Sequence, residues 1–362
     1  WPLLTARAAV GAAEAVVLPS VQKLMSRWVP PERKSISVAT IFSGFQAGTI
    51  CAYVISPNIL DSYGWRGIFY IYGAAGLAVL IPWFALAKDE PSSGSTAIEK
   101  QNESVIDVAG VPTPIETPTT TMASKASTTT QPSSTHSALQ DAIDVLKSAP
   151  WKDFIKSKGF WAMVMAHAAN NWGLYNNISW TPTFYAEQYG LNVKESALFA
   201  VLPAVCGALG GLAAGSVADK VLKNIEQDPD KDFETSRTTV RKIFQGIALY
   251  GPAVTLFILA SHIPEQPWVA QALLTGTVGL QAFNAAGYGA ANQEKAGEKW
   301  TGLLYSLTSL PGVMVGSFGV YVTGQVLDLT HDWSIIYALT ATINVIGATA
   351  FVTLYDGKKE FD

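Results

Sequence analysis

The sequence predicts an all-α integral membrane protein of about nine transmembrane helices, and three observations predict it. Its 362 residues are 49% hydrophobic and only 14% charged, against about a quarter charged in an ordinary soluble domain. Apolar stretches of roughly 20 residues, the length that crosses the hydrocarbon core of a bilayer, recur along the chain. Lys and Arg are concentrated in alternate connections between these stretches, the pattern that orients helices in a membrane. Eleven Trp and thirteen Tyr strengthen the reading, since their amphipathic rings favour the headgroup interface.

Taken in order, the first three apolar stretches are 1–20, 36–60 and 66–87. The chain opens already apolar at Trp1-Pro2-Leu3-Leu4, with no initiator Met and no basic region of the kind that begins a secretory signal. The expectation is that the start of the protein lies upstream. Residues 89–150 are rich in Thr, Ser, Pro and Lys, with runs such as Pro118-Thr119-Thr120-Thr121 and Thr128-Thr129-Thr130-Gln131-Pro132. Such a segment cannot bury enough apolar surface to offset its conformational entropy, and a disordered linker is expected there. Six further stretches follow, at 158–182, 195–217, 243–262, 266–292, 300–326 and 334–355. Three spans, a polar linker and six spans suggest a 6+6 architecture lacking roughly its first three helices. The domains expected are then 1–88 as the remainder of an N-terminal half, 89–150 as linker, and 151–362 as a six-helix C-terminal half.

The basic residues test this order. Four fall within 23–34, seven within 88–158, six within 220–242, and two each at Lys295 with Lys299 and Lys358 with Lys359, which is 21 of the 24. The opposite side holds Arg66 and Lys194, and Arg7 lies inside an apolar stretch. The excess places the linker and the C-terminal segment on the cytosolic side or its equivalent. An internal correspondence agrees with two related halves. Leu60-Asp61 followed by Trp65-Arg66-Gly67-Ile68-Phe69 matches Leu327-Asp328 followed by Trp333-Ser334-Ile335-Ile336-Tyr337, as duplicated transporter halves do.

Other functions are disfavoured. A net charge of −4 with no basic stripe argues against nucleic acid. Cys51 and Cys206 sit in separate apolar runs, which suggests neither a disulfide nor a metal site. The chain has no His-Glu-x-x-His, Gly-x-Ser-x-Gly or Walker loop, so an enzyme is not expected. No cofactor and no obligate protein partner are indicated.

The motifs point to transport. Gly215-Ser216-Val217-Ala218-Asp219-Lys220 ends an apolar stretch and opens the loop that leads to Arg241. It resembles the Gly-x-x-x-Asp-Arg/Lys loop signature of the major facilitator superfamily. Physically, such an acid facing the bases of the next helix makes a latch that can break and reform. Gly207, Gly211 and Gly215 fall four apart, a smooth stripe for close helix packing. Arg7-x-x-x-Gly11-x-x-Glu14-Ala15-Val16-x-x-Pro19-Ser20 and Trp28-Val29-Pro30-Pro31-Glu32-Arg33 are similar to the fourth helix and following loop of the anion:cation symporter family. So are Ser43-Gly44-x-x-x-Gly48, Ser56-Pro57, Gly64-Trp65-x-x-x-Phe69-Tyr70, Asn171-Trp172-Gly173, Trp180-Thr181-Pro182-Thr183-Phe184-Tyr185, Gly251-Pro252-Ala253 and Asp356-Gly357-Lys358-Lys359. That family includes sialin, the vesicular glutamate transporters and the plant plastid phosphate transporters, and the Asn-Trp-Gly and Trp-x-Pro-Thr pieces look closest to the plastid phosphate branch. Four departures stand out. Ala15 replaces the family's Gly, and the loop after Trp28 is one residue short. Asn292-Gln293-Glu294-Lys295 replaces Asn-His-x-Asp, and Asn170 replaces an arginine of the glutamate transporters.

The resemblance implies a major facilitator fold and secondary transport of inorganic phosphate or a small organic anion by alternating access. It also implies a sodium ion or proton as coupling ion, in an organellar membrane such as the plastid's or another cellular membrane. Arg7 and Glu14 are the most deeply placed charges, seven residues and about 10 Å apart on one helix face, and intramembrane charges are functional candidates by default. The resemblance makes Arg7 the anion ligand and Glu14 a coupling or gating residue; the alternative is a structural bridge. Asp219 and Arg241 are further gating candidates through the latch; the alternative for Asp219 is an ordinary solvated acid at a helix end. Two polar stripes, Gln281, Asn284, Tyr288 and Asn292 on one helix and Asn170, Trp172, Tyr175 and Asn177 on another, line a wet cavity or act as interhelical glue. Asn171 belongs with them through its motif, and His167 reads as a packed histidine. A transporter-like sensor that binds without moving its ligand is the rival reading.

Overall fold

The computed structural model describes residues 2–87 and 146–361. The chain divides into a helical body of residues 1–87 with 152–362 and a second unit of residues 88–151. Of the second unit only the end is described, a short turn in which the Trp151 indole donates to the Leu146 carbonyl at 2.9 Å. The linker expected at 89–150 lies outside the described residues as far as residue 145.

The body is helical throughout, with a single isolated bridge between Ala296 and Phe361. Helix α1 (Pro2–Glu14) and α2 (Val17–Trp28) are nearly continuous, and a 3-10 turn at Pro31–Arg33 leads into α3 (Lys34–Leu86). From Trp151 onward come α4 (Trp151–Lys156), α5 (Lys158–Tyr189), α6 (Val193–Glu226), α7 (Phe233–Ser261) and α8 (Pro267–Gln281). A 3-10 turn at Ala282–Ala285 precedes α9 (Tyr288–Lys295), α10 (Glu298–Thr330) and α11 (Trp333–Leu354).

Two of the expected spans lie within α3, which bends at Gly64 with φ 68° and ψ 178°, a backbone region essentially restricted to glycine. The Ser56 hydroxyl meets the Tyr72 hydroxyl at 3.0 Å across this bend. Sixteen residues of straight helix would span about 24 Å, so the two arms fold back on each other. The matching piece at residues 327–337 behaves alike. There α10 ends at His331, with φ 52°, before Trp333 opens α11, whose amide at Ser334 is capped by Asp332 at 2.8 Å.

The other helix ends follow local chemistry. Ser157 accepts from the Phe160 amide at the start of α5, and left-handed Gly190 ends that helix. Asn192 and Glu195 form a reciprocal capping box at the start of α6, satisfying two orphan amides. The stretch expected as one span at 266–292 is instead broken between α8 and α9 at Gly287. Two side chains one turn apart on α7 service the break. Gln245 Oε1 accepts from the Tyr288 amide at 2.8 Å, and Arg241 Nη1 donates to the Ala286 carbonyl at 2.8 Å. Broken helices in membranes need such substitutes for the lost backbone bonds.

Six of the described helical runs are long and apolar enough to cross a membrane: Leu3–Trp28, Lys34–Leu86, Val193–Glu226, Phe233–Ser261, Thr301–Thr330 and Trp333–Leu354. Helix α5 is long enough, but Asn170, Asn171, Asn176 and Asn177 dilute its apolar character. Helix α8 has only 15 residues before the break.

Small residues set the packing. The glycine stripe of α6 lies against α3: a methyl on Gly215 would meet the Ser35 carbonyl oxygen at 2.8 Å and Ala39 Cβ at 2.9 Å. The Ser43 hydroxyl donates to the Ala208 carbonyl at 3.1 Å along the same seam. Gly312, Gly316 and Gly319 of α10 lie against His167, Tyr175 and Trp172 of α5. One end of the helix cluster is filled by Phe184, Tyr185, Trp333 and Tyr337 with Leu256, Leu259 and Leu274. Outward-facing apolar residues such as Ile81, Phe84, Leu209 and Phe318 form the surface a lipid-facing body requires.

Candidate functional site: a polar closure and a buried amide layer

Segments around 34–36, 219–241, 293–295 and 356–360 meet at one end of the body and form a polar closure there. Asp219, at the C-terminal part of α6, accepts from the Ser35 amide at 3.1 Å and the Ile36 amide at 2.9 Å. It therefore caps the N-terminus of α3, where unpaired amides and the helix dipole favour an anion. Arg241 is 1% exposed. Its Nε and Nη2 grip the Glu294 carboxylate at 3.0 and 2.5 Å, and Nη1 donates to the Ser35 hydroxyl at 2.9 Å. Ser35 is thus held by Asp219 through its backbone and by Arg241 through its side chain. The sequence reading paired Asp219 directly with Arg241. In the fold their link runs through Ser35, and Arg241's carboxylate partner is Glu294. Reasoning from sequence missed Glu294 because it reads as an acid at a helix end, and missed Ser35 because nothing marks an ordinary serine before an apolar run. Beside this layer lies a pocket of about 520 Å³, open mouth included, between Glu32, Lys34, Lys223, Glu226, Arg237 and Glu294.

Farther into the bundle the two polar stripes come together. The Gln281 amide donates to the Asn170 carbonyl at 2.8 Å. Asn171 Nδ2 lies 3.1 Å from His167 Nε2, and the His167 ring stacks on Tyr288 with centroids 4.5 Å apart. The Thr308 hydroxyl joins the Tyr288 hydroxyl at 2.9 Å and accepts from Asn292 Nδ2 at 3.2 Å. Asn171, His167, Tyr288, Thr308 and Asn292 therefore form one buried chain across α5, α9 and α10. Trp172 donates from its indole to the Thr340 hydroxyl at 3.3 Å, and half-buried Tyr175 packs by Gly316. Next to the layer is a cavity of about 500 Å³, open mouth included, whose polar wall includes Asn176, Asn177, Gln281, Thr340 and Asn344. Among the described residues, the buried amide oxygens of Asn170, Asn176, Asn284, Asn292 and Asn344 have no hydrogen-bond partner. Each is a free acceptor in a setting where such groups are normally satisfied.

Arg7 and Glu14 stand apart. Every residue of α1 from Leu3 to Glu14 is exposed, and the Arg7 guanidinium lies over the Phe69 ring at 5.2 Å. The structure brings the amide layer together and brings Asp219 to Arg241 through Ser35, but it does not bring Arg7 or Glu14 to either group. Among the described residues no cluster of three His, Cys, Asp or Glu is placed to hold a metal.

The family model described as Major Facilitator Superfamily matches residues 1–320. Over 333 residues the chain is 32% identical to a probable anion transporter 5, chloroplastic, of Oryza sativa subsp. japonica, covering 92% of the chain and 66% of that protein. It is 27% identical over 360 residues to a sodium-dependent phosphate transport protein 1, chloroplastic, of Arabidopsis thaliana, covering 99% of the chain and 62% of the relative. The identity to an ascorbate transporter, chloroplastic, of Arabidopsis thaliana is also 27%, over 99% of the chain and 58% of that relative. The chain thus spans about three fifths of the length of these curated relatives. The matched family is one of transport proteins, not enzymes, and its members are multi-pass membrane proteins. From the family match and the helical body, the chain belongs to the major facilitator superfamily.

Proposed function

We propose that this chain is the larger part of a secondary transporter that moves inorganic phosphate or a small organic anion by alternating access, driven by sodium ions or protons. Residues 1–88 are read as helices four to six of an N-terminal half, residues 151–362 as the six-helix C-terminal half, and 89–150 as the cytosolic-side connection between them. The observation that carries the reading is the closure of Asp219, Ser35, Arg241 and Glu294. It ties α3 of the first half to α6, α7 and α9 of the second through hydrogen bonds and one ion pair. Charge-assisted contacts of this kind contribute about 1.5–3 kcal/mol each at most. A handful of them matches the few kcal/mol that separate interconverting states. Such a closure can open and reform, which a continuous apolar seam would resist. The relatives named for anion, phosphate and ascorbate transport support the substrate class, and their chloroplastic names support a plastid membrane.

The test is uptake of labelled phosphate and ascorbate by the full-length protein in proteoliposomes, with sodium and proton gradients imposed separately. Saturable uptake that requires one gradient is the expected result. Saturable binding with no flux under either gradient would replace this reading by the sensor reading.

A further inference from the structure

Three consecutive residues at the end of α9 hold three different parts of the chain. Gln293 Nε2 donates to the Gln22 carbonyl at 3.1 Å and also meets the Gln22 side-chain oxygen. Glu294 takes the fork of Arg241. Lys295 turns the other way, into the segment that follows α11. Its ammonium donates to the Asp356 carbonyl at 3.0 Å, pairs with the Asp356 carboxylate and lies 2.7 Å from Glu360 Oε1.

The segment is laid down firmly on that side. Arg237 donates to the Gly357 carbonyl at 2.8 Å, and the Gly357 amide donates to the Thr238 hydroxyl at 2.9 Å. The Glu360 amide donates to the Lys295 carbonyl at 3.1 Å and the Gly297 amide to the Phe361 carbonyl at 2.5 Å. The Phe361 ring is buried, with its centroid 4.5 Å from that of Phe154. The Lys295 side chain is 0% exposed, whereas those of Asp356 and Glu360 are 51% and 27% exposed. A buried ammonium is tolerated only while it is paired. Here its two carboxylates are partly exposed, so solvent reaches the clasp from their side.

We propose that Lys295 is a positioning residue for the closure. The segment Asp356 to Phe361 clasps it, holding Glu294 in register for Arg241 and Gln293 for Gln22. The segment after α11 thereby sets how firmly this end of the transporter shuts. This rests on reading the Arg241–Glu294 layer as a gate.

The test uses the full-length protein on a cysteine-free background carrying Lys23→Cys with Gly302→Cys. A Cβ on Gly302 would lie 3.6 Å from that of Lys23, within disulfide reach, and neither residue belongs to the closure. Cross-linking rate then reports closure without any need for transport. Asp356→Asn with Glu360→Gln should slow cross-linking by about tenfold, the effect of losing a charge-assisted contact on a two-state equilibrium. Gly159→Ala should slow it as well while leaving both acids in the chain, because its methyl would meet Lys295 Cε and Nζ at 2.7 Å, against 3.5 Å for Asp356 Oδ1. If the double variant fails to fold, Glu360→Gln alone serves with Gly159→Ala. A purely structural role would lower the melting temperature and leave the cross-linking rate unchanged in the folded protein, and that result overturns the proposal. Uptake measured in parallel separates the two readings. Slowed cross-linking in the clasp variants together with normal uptake by Arg241→Gln would sink the gate reading and leave the clasp standing.

Discussion

Arg241 is the residue on which most of the closure converges. Four of its five donors meet Glu294, Ser35 and the Ala286 carbonyl, a use of the planar fork that lysine cannot copy. Arg241→Gln leaves the Glu294 side chain, 6% exposed, without its bidentate partner. Removing one member of a buried pair typically costs about 3–5 kcal/mol, so a large drop in melting temperature and loss of uptake are expected. Adding Glu294→Gln to that variant should restore much of the stability and none of the uptake, as a thermal-unfolding cycle read beside flux will show; equal damage in single and double variants would mean that the pair is not coupled. Arg7 poses the opposite case. It is the one basic residue placed by sequence inside an apolar stretch, and in the fold it is exposed over Phe69; we propose it as the anion anchor of the full-length protein. Arg7→Lys in the full-length protein should weaken substrate protection in a thermal-shift assay, and Arg7→Ala should abolish it. Glu14→Gln should spare that protection and reduce gradient-driven uptake. Undiminished protection in Arg7→Ala favours a structural bridge.

At the scale of elements, the close approach of α3 and α6 is what lets Asp219 reach the amides of Ser35 and Ile36. Gly215 has three α3 atoms within 3.0 Å of where its Cβ would stand, two of them backbone. Overpacking of that kind costs typically 1–3 kcal/mol. Gly215→Leu should therefore unseat the cap and abolish uptake while the protein still inserts. Gly246→Ala, whose methyl would meet nothing closer than 3.8 Å, should be neutral in both. Comparable losses from the two variants would remove the seam from the mechanism. The glycine spacing of α6 was readable because a four-residue period needs only the helix itself. The break between α8 and α9 was not readable. Residues 266–292 look like one apolar helix until Gln245 and Arg241 from α7 are seen supplying its missing hydrogen bonds.

At the scale of the whole molecule, the basic residues predict the topology. Connections expected on one side of a membrane, at 23–34, 220–242, 295–299 and 356–359, are in mutual contact in the fold. Lys34 reaches the Gln293 carbonyl at 3.4 Å, Asp219 caps α3, and Arg237 holds Gly357. Protease added to sealed vesicles should cut within 89–150 and after residue 357 from the same face, which immunoblotting against the two ends of the protein will detect. Accessibility from opposite faces would overturn the orientation. Sequence alone determined the helical class and the apolar stretches, and it marked the polar stripes whose side chains meet in the fold. All of these follow from runs of side chains whose partner is the bilayer or the helix's own backbone. Tertiary structure decided which polar group meets which: Glu294 rather than Asp219 for Arg241, helix amides for Asp219, and Asp356 with Glu360 for Lys295. A buried ion or amide takes its partner from whichever helix faces it, across 53 residues for Arg241 and Glu294 and 184 for Asp219 and Ser35, and no local pattern encodes that choice.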